Sequence, residues 1–210
     1  MHRANRIILL ATLAIAAAGA GVAAGVWYTQ GGAGNAHAAT VLDAPRPLPD
    51  FSLLDERGAP VTRDDLRGRW TLLFFGFTHC PDVCPMTLQV LARALHSQDD
   101  LPPEQRAVAR FVSVDPERDT PGELARYLAS FDADIRGITG SADAIDALAR
   151  ALGVAYGRVE LPDGRGYTMD HSAALFLLDP QARFVAVFTP PHDARAIAAD
   201  LRAIARRRPS

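Results

Sequence analysis

Apolar positions beyond residue 50 fall into short runs whose spacing changes along the chain. Residues 70–77 form a continuous apolar run and residues 107–114 a second, largely apolar one. Both predict strands that are buried on both faces of a sheet. Residues 51–54 predict a shorter strand. The runs at 173–178 and 183–188 flank the turn sequence Asp-Pro-Gln-Ala, which predicts a hairpin.

Helical spacing lies between these strands. From Pro85 onward, apolar residues recur every three or four positions. Residues 120–123 (TPGE) form a capping box with proline at the first helical position. Ser141 begins a further helix that Gly153 ends, and Asp193 caps a last one. This alternating order, ending in a hairpin and a helix, predicts an α/β domain with a central mixed sheet flanked by helices.

The N-terminus has a different pattern. Residues 7–28 are apolar except for one threonine and three glycines. A helix of that length, at about 1.5 Å per residue, spans a hydrocarbon layer of about 30 Å. Arg3 and Arg6 precede the run, and no charged residue follows it before residue 40, so the positive-inside rule places the rest of the chain outside the cytoplasm. We therefore expect residues 1–29 to contain one N-terminal transmembrane helix.

A cleaved signal peptide is the alternative, because residues 36–38 (AHA) resemble a small-x-small cleavage site. The apolar run exceeds the roughly 7–15 residues of a signal-peptide core, which favours an uncleaved anchor. Residues 30–46, which begin with many glycines and alanines, are expected to form a flexible tether. Residues 47–208 are then the folded domain, and both interpretations place it outside the cytoplasm.

Composition and charge narrow the class of protein. The chain has 22 Lys and Arg against 24 Asp and Glu, a net charge of −2, which does not indicate binding to nucleic acid. Hydrophobic residues make up 49% and charged residues 22%, as in a folded soluble domain. The two cysteines, Cys80 and Cys84, are too few for a disulfide framework. They can bond to each other, bind one metal ion together or act as a redox pair.

The cysteine pair lies where the predicted strand 70–77 runs into the predicted helix, which is the local arrangement of the thioredoxin fold. Unpaired N–H groups at a helix N-terminus stabilise thiolates, and the thiolate is both the nucleophile and the metal ligand. Three residues separate Cys80 from Cys84, one more than in a thioredoxin-type redox pair. The looser loop can open its sulfurs around a metal ion.

Two thiolates leave a metal ion under-coordinated, and His171 is the best candidate for a third ligand. It leads into the apolar run 173–178 and can face the cysteine loop. Two thiolates and one imidazole are a soft set that suits copper, whereas structural zinc usually takes four protein ligands. The residues therefore favour one copper ion per chain, as Cu(I) or Cu(II). His79, next to Cys80, is expected to point elsewhere if this segment is strand-like.

Three segments of the chain resemble motifs of the Sco/SenC family of copper chaperones. They are residues 76–85 (GFTHCPDVCP), 114–121 (VDPERDTP) and 169–172 (MDHS), in the order in which the family has them. The resemblance extends over most of residues 48–205. It implies a thioredoxin-like fold, a single membrane anchor and delivery of copper to the binuclear copper centre of cytochrome c oxidase.

The resemblance also implies site residues and partners. It carries over the metal ligands as Cys80, Cys84 and His171, with Asp170 beside the histidine as a residue that tunes it. The expected partners are the copper-receiving subunit of cytochrome c oxidase, other periplasmic copper chaperones or thiol reductants, and the membrane through the N-terminal helix. The expected location is the bacterial inner membrane, crossed once, with the domain in the periplasm.

A thiol-disulfide oxidoreductase that keeps oxidase-subunit cysteines reduced is the alternative function. It uses the same two cysteines but needs neither His171 nor metal, so the sequence leaves open whether the protein is an enzyme. Other polar and soft side chains are given structural roles. Met86, on the first helical turn, is predicted to fill the core. Asp115, Glu117 and Asp119 lie beside a turn and a helix cap and are expected to be structural.

Overall fold

The structure is a computed structural model that describes residues 38–131, 134–162, 164 and 166–207, together with Gly21. Apart from Gly21, the predicted anchor or signal segment at residues 1–29 lies outside the described residues, as do residues 30–37 of the predicted tether. Among the residues that are described, no helix has both the length and the apolar character needed to cross a membrane.

The described part of the chain alternates between strands and helices. Its strands are β1 (Ala39–Pro47), β2 (Ser52–Asp55), β3 (Pro60–Thr62), β4 (Thr71–Gly76), β5 (Val108–Ser113), β6 (Ile135–Thr139), β7 (Tyr156–Glu160), β8 (Tyr167–His171), β9 (Leu175–Leu178) and β10 (Arg183–Phe188). Its α-helices are α1 (Val83–His96), α2 (Pro121–Leu128), α3 (Ala142–Leu152) and α4 (Ala194–Arg207). Short 3-10 turns occupy Asp64–Leu66 and Pro103–Gln105.

Eight strands form one mixed sheet in the order β1-β10-β9-β4-β5-β6-β2-β3, while β7 and β8 pair separately. At the centre of the sheet, β4, β5 and β6 run parallel and β9 lies antiparallel beside β4. Every residue of β4 is buried, because the sheet is covered on both faces there. Burial on both faces is why this strand is a continuous apolar run. The predicted α/β domain with a central mixed sheet is confirmed.

Helices α2, α3 and α4 begin where the sequence predicts, and α3 also ends there. The Thr120 hydroxyl accepts a hydrogen bond from the Glu123 N–H at 3.3 Å and so caps α2. Ser141 caps α3 in the same way, and Gly153 ends that helix with a φ of 77°. The Asp193 carboxylate accepts a backbone N–H in the first turn of α4 at 2.8 Å. Helices α1 and α4 pack against each other.

The domain begins earlier than the sequence predicts. The flexible tether expected over residues 30–46 is wrong from residue 39 onward, because Ala39–Pro47 forms β1, which pairs antiparallel with β10. Ala39 is buried, and its N–H donates a hydrogen bond to the Asp200 carboxylate of α4 at 2.8 Å. Most residues of β1 are at least partly exposed because it is an edge strand, so it lacks the apolar run of a central strand.

Candidate metal centre

The cysteine loop lies between the end of β4 and the start of α1. Cys80 is 8% exposed at the rim of the loop, whereas Cys84, in the first turn of α1, is fully buried. The backbone N–H of Cys84 donates a hydrogen bond to the Cys80 sulfur at 3.4 Å. Both thiols are free in this structure. The predicted arrangement of strand, cysteine loop and helix is confirmed, and both cysteines are buried, Cys84 more completely than Cys80.

Gly76, the last residue of β4, makes room for the buried sulfur. A Cβ atom at this position would lie 2.8 Å from the Cys84 sulfur and 2.7 Å from a ring carbon of Phe111 on β5. Both distances are shorter than a nonbonded contact allows, and Phe111 is itself fully buried. Glycine is therefore required where the cysteine, the strand and the aromatic ring meet.

His171 completes the group. It is the last residue of β8, and its Nε2 atom lies 3.3 Å from the Cys84 sulfur. The ligand atoms of Cys80, Cys84 and His171 all lie within 4.8 Å of one another, close enough to hold one metal ion. The structure thus brings together the three residues that the sequence singles out.

The imidazole of His171 is oriented by its surroundings. Its Nδ1 atom lies 3.1 Å from the Ser172 carbonyl oxygen, a contact that favours the proton on Nδ1 and leaves the Nε2 lone pair facing Cys84. The rings of Phe74 and Phe77 pack against the imidazole edge-on, with centroid distances of 6.1 and 5.8 Å. The aromatic contacts and the hydrogen bond to the Ser172 carbonyl therefore hold the imidazole in an orientation in which Nε2 can bind a metal ion.

Burial controls the protonation of the candidate ligands. It lowers the pKa of His171, against the opposing effects of the Ser172 carbonyl and the Asp170 charge, and so favours the neutral imidazole that binds metals. Burial also raises the pKa of the Cys84 thiol, so this sulfur is protonated until a cation replaces the proton. The Asp170 side chain is exposed, and its influence on His171 is that of a nearby charge.

His79 does not join the group, as the sequence predicts. Its side chain is 55% exposed, and its Nδ1 atom lies 3.0 Å from the Thr78 hydroxyl. Met86 contradicts the prediction that it fills the core, because it is 54% exposed. Residues two positions apart lie on different sides of a helix, so α1 cannot turn both Cys84 and Met86 inward.

Asp119, which is expected from the sequence to be structural, is a buried carboxylate that supports the cysteine loop. Asp119 accepts hydrogen bonds from the backbone N–H and hydroxyl of Thr78, at 3.0 and 2.6 Å, and from the Ser113 hydroxyl at 2.7 Å. Burial raises the pKa of Asp119, while these hydrogen bonds lower it. The carboxylate therefore connects the loop before Cys80 to the end of β5.

Comparison with known proteins identifies the family. The family model described as SCO1/SenC matches residues 41–206, most of the chain and all three candidate ligands. The chain belongs to the SCO1/SenC family. A curated relative, the mitochondrial SCO2 homolog of Bos taurus, is 42% identical over 156 residues, which cover 73% of this chain and 58% of the relative. The chain thus matches less than two thirds of that relative's length.

Solved structures of other family members have the same fold. Arabidopsis thaliana ScoI with copper bound has a TM-score of 0.71 and 37% identity, covering 76% of this chain and 98% of the solved one. Bradyrhizobium japonicum ScoI with copper bound has a TM-score of 0.67 and 39% identity, covering 75% and 98%. These similarities confirm the thioredoxin-like fold, and both of these relatives were solved with the metal that the sequence of this chain favours.

Proposed function

We propose that this chain is a copper metallochaperone that holds one copper ion through Cys80, Cys84 and His171. The observation that carries the proposal is the meeting of two sulfurs and one imidazole nitrogen within 4.8 Å at the end of the central strand. Soft thiolate ligands select Cu(I), and the copper-bound structures of the Arabidopsis and Bradyrhizobium relatives support the same choice.

The surroundings of the site favour a three-ligand ion over a four-ligand zinc site. The two buried carboxylates that follow β5 are engaged elsewhere, Asp119 with Thr78 and Asp115 with Arg118. Three protein ligands leave one side of the ion open, and Cys80, though buried, is more accessible at 8% exposure than the fully buried Cys84. An incoming thiolate can therefore approach the ion and displace one ligand at a time.

The proposed recipient is the copper-receiving subunit of cytochrome c oxidase, with other periplasmic copper chaperones or thiol reductants as further partners. The reduced pair Cys80/Cys84 captures copper together with His171, the complex docks on the recipient, and the ion moves by ligand exchange. A disulfide between the two cysteines removes both thiolates, so the thiol redox state controls loading.

The proposed location is the bacterial inner membrane, with residues 1–29 as a single-pass anchor and the domain in the periplasm. The apolar run at residues 7–28, with Arg3 and Arg6 before it, supports this topology. A reporter enzyme that is active only in the periplasm, fused after Arg207, should be active if the topology is correct. An active reporter of the cytoplasmic type would contradict it.

A thiol-disulfide oxidoreductase is the second candidate, favoured by the contrast between the two cysteines. Cys80 is 8% exposed whereas Cys84 is fully buried, and the backbone N–H of Cys84 donates a hydrogen bond to the Cys80 sulfur. The Cys80 thiolate attacks a partner disulfide to form a mixed disulfide, which the Cys84 thiolate then resolves. The partner gains two electrons and two protons as a dithiol, and the chain is left with a Cys80–Cys84 disulfide.

A copper-transfer assay distinguishes the two functions. The reduced full-length chain, loaded with one equivalent of Cu(I), is mixed with the metal-free copper domain of an oxidase subunit, and copper is measured on each protein after separation. We expect transfer from the wild type, loss of it in His171→Ala, and retention in His79→Ala, which alters an exposed histidine beside the site. If His171→Ala transfers copper normally, the chaperone proposal fails. If the chain instead reduces the recipient's disulfide independently of His171, the oxidoreductase is favoured.

A further inference from the structure

His171 is carried by a hairpin that does not belong to the main sheet. β7 and β8 pair only with each other among the described strands, with His171 opposite Tyr156. A two-stranded hairpin is marginally stable by itself in water. Contacts with the rest of the domain must therefore hold this hairpin, and with it the imidazole, against the cysteine loop.

Several of these contacts centre on Tyr167, at the other end of β8. The guanidinium carbon of Arg118 lies 3.8 Å from the centroid of the Tyr167 ring, and that of Arg158 lies 3.6 Å from it. Both distances are well within the range of a cation–π interaction. Arg118 follows β5 and belongs to the segment before α2, whereas Arg158 is on β7. The ring thus connects the hairpin to the main body of the domain.

Hydrogen bonds join the same residues. The Tyr167 hydroxyl donates to the Asp115 carboxylate at 2.8 Å, and Arg118 donates to the Tyr167 carbonyl oxygen at 3.0 Å. Arg118 also forms an ion pair with Asp115, which is only 2% exposed. Asp115, Arg118, Arg158 and Tyr167, here called the Tyr167 cluster, therefore hold the hairpin through its backbone, its ring and its hydroxyl.

The Tyr167 cluster is connected to His171 in two ways, along the strand β8 and through packed side chains. Along β8, Tyr167 and His171 are four residues apart, about 13 Å at the usual strand rise. Through space, Arg118 lies 5.9 Å from the ring centroid of Phe77, and that ring packs edge-on against His171. The same guanidinium thus contacts the strand that carries the imidazole and an aromatic ring that orients it.

We infer that Arg118 and Tyr167 are positioning residues for the ligand His171. They hold the β7–β8 hairpin so that Nε2 of His171 faces the Cys84 sulfur. Without them, only the two cysteine sulfurs remain in position to bind the metal for most of the time. The expected effect on copper binding rests on the proposed copper site, whereas the placement of the hairpin does not.

Hydrogen exchange of the reduced, metal-free, full-length chain tests the placement. In Tyr167→Ala, we expect the backbone amides of β7 and β8 to exchange at least about tenfold faster, while amides of β4 and β5 keep their rates. Tyr167→Phe, which retains the ring under both guanidinium groups, should restore most of the protection. Arg202→Ala, which removes an ion pair between α4 and Asp100, is the control and should leave the hairpin unchanged.

Two results would overturn the inference: hairpin rates equal to the wild type, or an increase spread evenly over the domain. If Tyr167→Ala does not fold, Arg158→Ala decides, because Arg158 is half-exposed and its loss removes both one guanidinium from the ring and the ion pair that joins β7 to Glu117, outside the hairpin. We expect a smaller increase in hairpin exchange for Arg158→Ala. Unchanged exchange in that variant would then count against the inference.

Copper loading supplies the second readout. The charge-transfer spectrum of Tyr167→Ala should move towards that of His171→Ala, whereas the Tyr167→Phe spectrum should resemble the wild type. A wild type that retains no copper would overturn the proposed function but leave the exchange result standing. A wild-type spectrum that depends on His171 but not on Tyr167 would overturn the positioning role alone.

Discussion

At the scale of single residues, the candidate centre depends on close packing around the Cys84 sulfur. Gly76 lacks the carbon that would collide with this sulfur and with Phe111. Asp119 holds Thr78, two residues before Cys80, by its backbone and its hydroxyl. The ligands are therefore placed by neighbours that are not candidate ligands of this site, and small changes in those neighbours should move the sulfur.

The substitution Gly76→Ala tests this dependence. The added methyl would displace Cys84 or Phe111, and overpacking of this kind typically costs about 1–3 kcal/mol of unfolding free energy. Gly122→Ala is the matched control, because a Cβ there meets nothing within 4 Å. Denaturant unfolding of the metal-free variants measures the loss. Equal stability of Gly76→Ala and the control would contradict the packing account.

The same scale shows what the sequence can and cannot reveal. Cys80, Cys84 and His171 are predictable because few side chains offer soft ligands, and the spacing of the cysteines narrows their use. The need for glycine at position 76 depends on Phe111, which only the pairing of β4 with β5 brings beside it. Met86 is mispredicted because a first-turn apolar residue can face either the core or solvent, and packing decides which.

At the scale of elements, the central strands β4, β5 and β9 and the four helices of the described residues are predictable, since burial on both faces and helix caps leave clear patterns, whereas the shorter central strand β6 is not predicted. β7 and β8 are not, because their residues are mostly part-exposed and the hairpin carries arginine, aspartate and glutamate. The strand β1 was expected to be part of a tether, since an edge strand with exposed polar positions resembles a linker in sequence. The missed hairpin and the misassigned β1 are both strands whose pairing is decided by tertiary contacts.

Removal of β1 tests whether this segment is structural. A chain that begins at residue 48 loses the pairing with β10 and the hydrogen bond from Ala39 to Asp200, whereas a chain that begins at residue 38 keeps both. We expect the shorter chain to unfold at least about 5 °C lower in a thermal melt. Equal melting temperatures would restore the interpretation of residues 39–46 as a tether.

At the scale of the whole molecule, the fold brings distant segments to one end of the parallel strands. The cysteine loop follows β4, Asp115 and Asp119 follow β5, and His171 arrives from a hairpin 87 residues beyond Cys84. Ligand sites in open α/β sheets lie at this end of the strands. Burial there also sets the protonation of the site, and hence its dependence on pH.

The stability of the metal-free protein should depend on pH through His171. Burial lowers the pKa of His171 from the ordinary 6.5. Just below pH 6.5, His171 is therefore protonated more often in the unfolded chain than in the folded one. Its contribution to unfolding free energy therefore falls as pH drops below 6.5, by at most about 1.4 kcal/mol per pH unit for one proton. Denaturant titrations of the wild type and His171→Gln, made at steps of about half a pH unit from about pH 7.5 to about pH 5, measure the unfolding free energy of each protein. A difference between the two proteins that stays constant with pH would contradict the account.

The central claim is that two sulfurs and one imidazole hold a single copper ion, and X-ray absorption at the copper edge tests it most directly. The sample is the reduced full-length chain with one equivalent of Cu(I), compared with His171→Ala and with His79→Ala as the control. The account predicts two sulfur scatterers and one imidazole nitrogen in the wild type and in His79→Ala, with the imidazole pattern absent from His171→Ala. Two sulfurs without nitrogen in the wild type, or an imidazole that persists in His171→Ala, would contradict it.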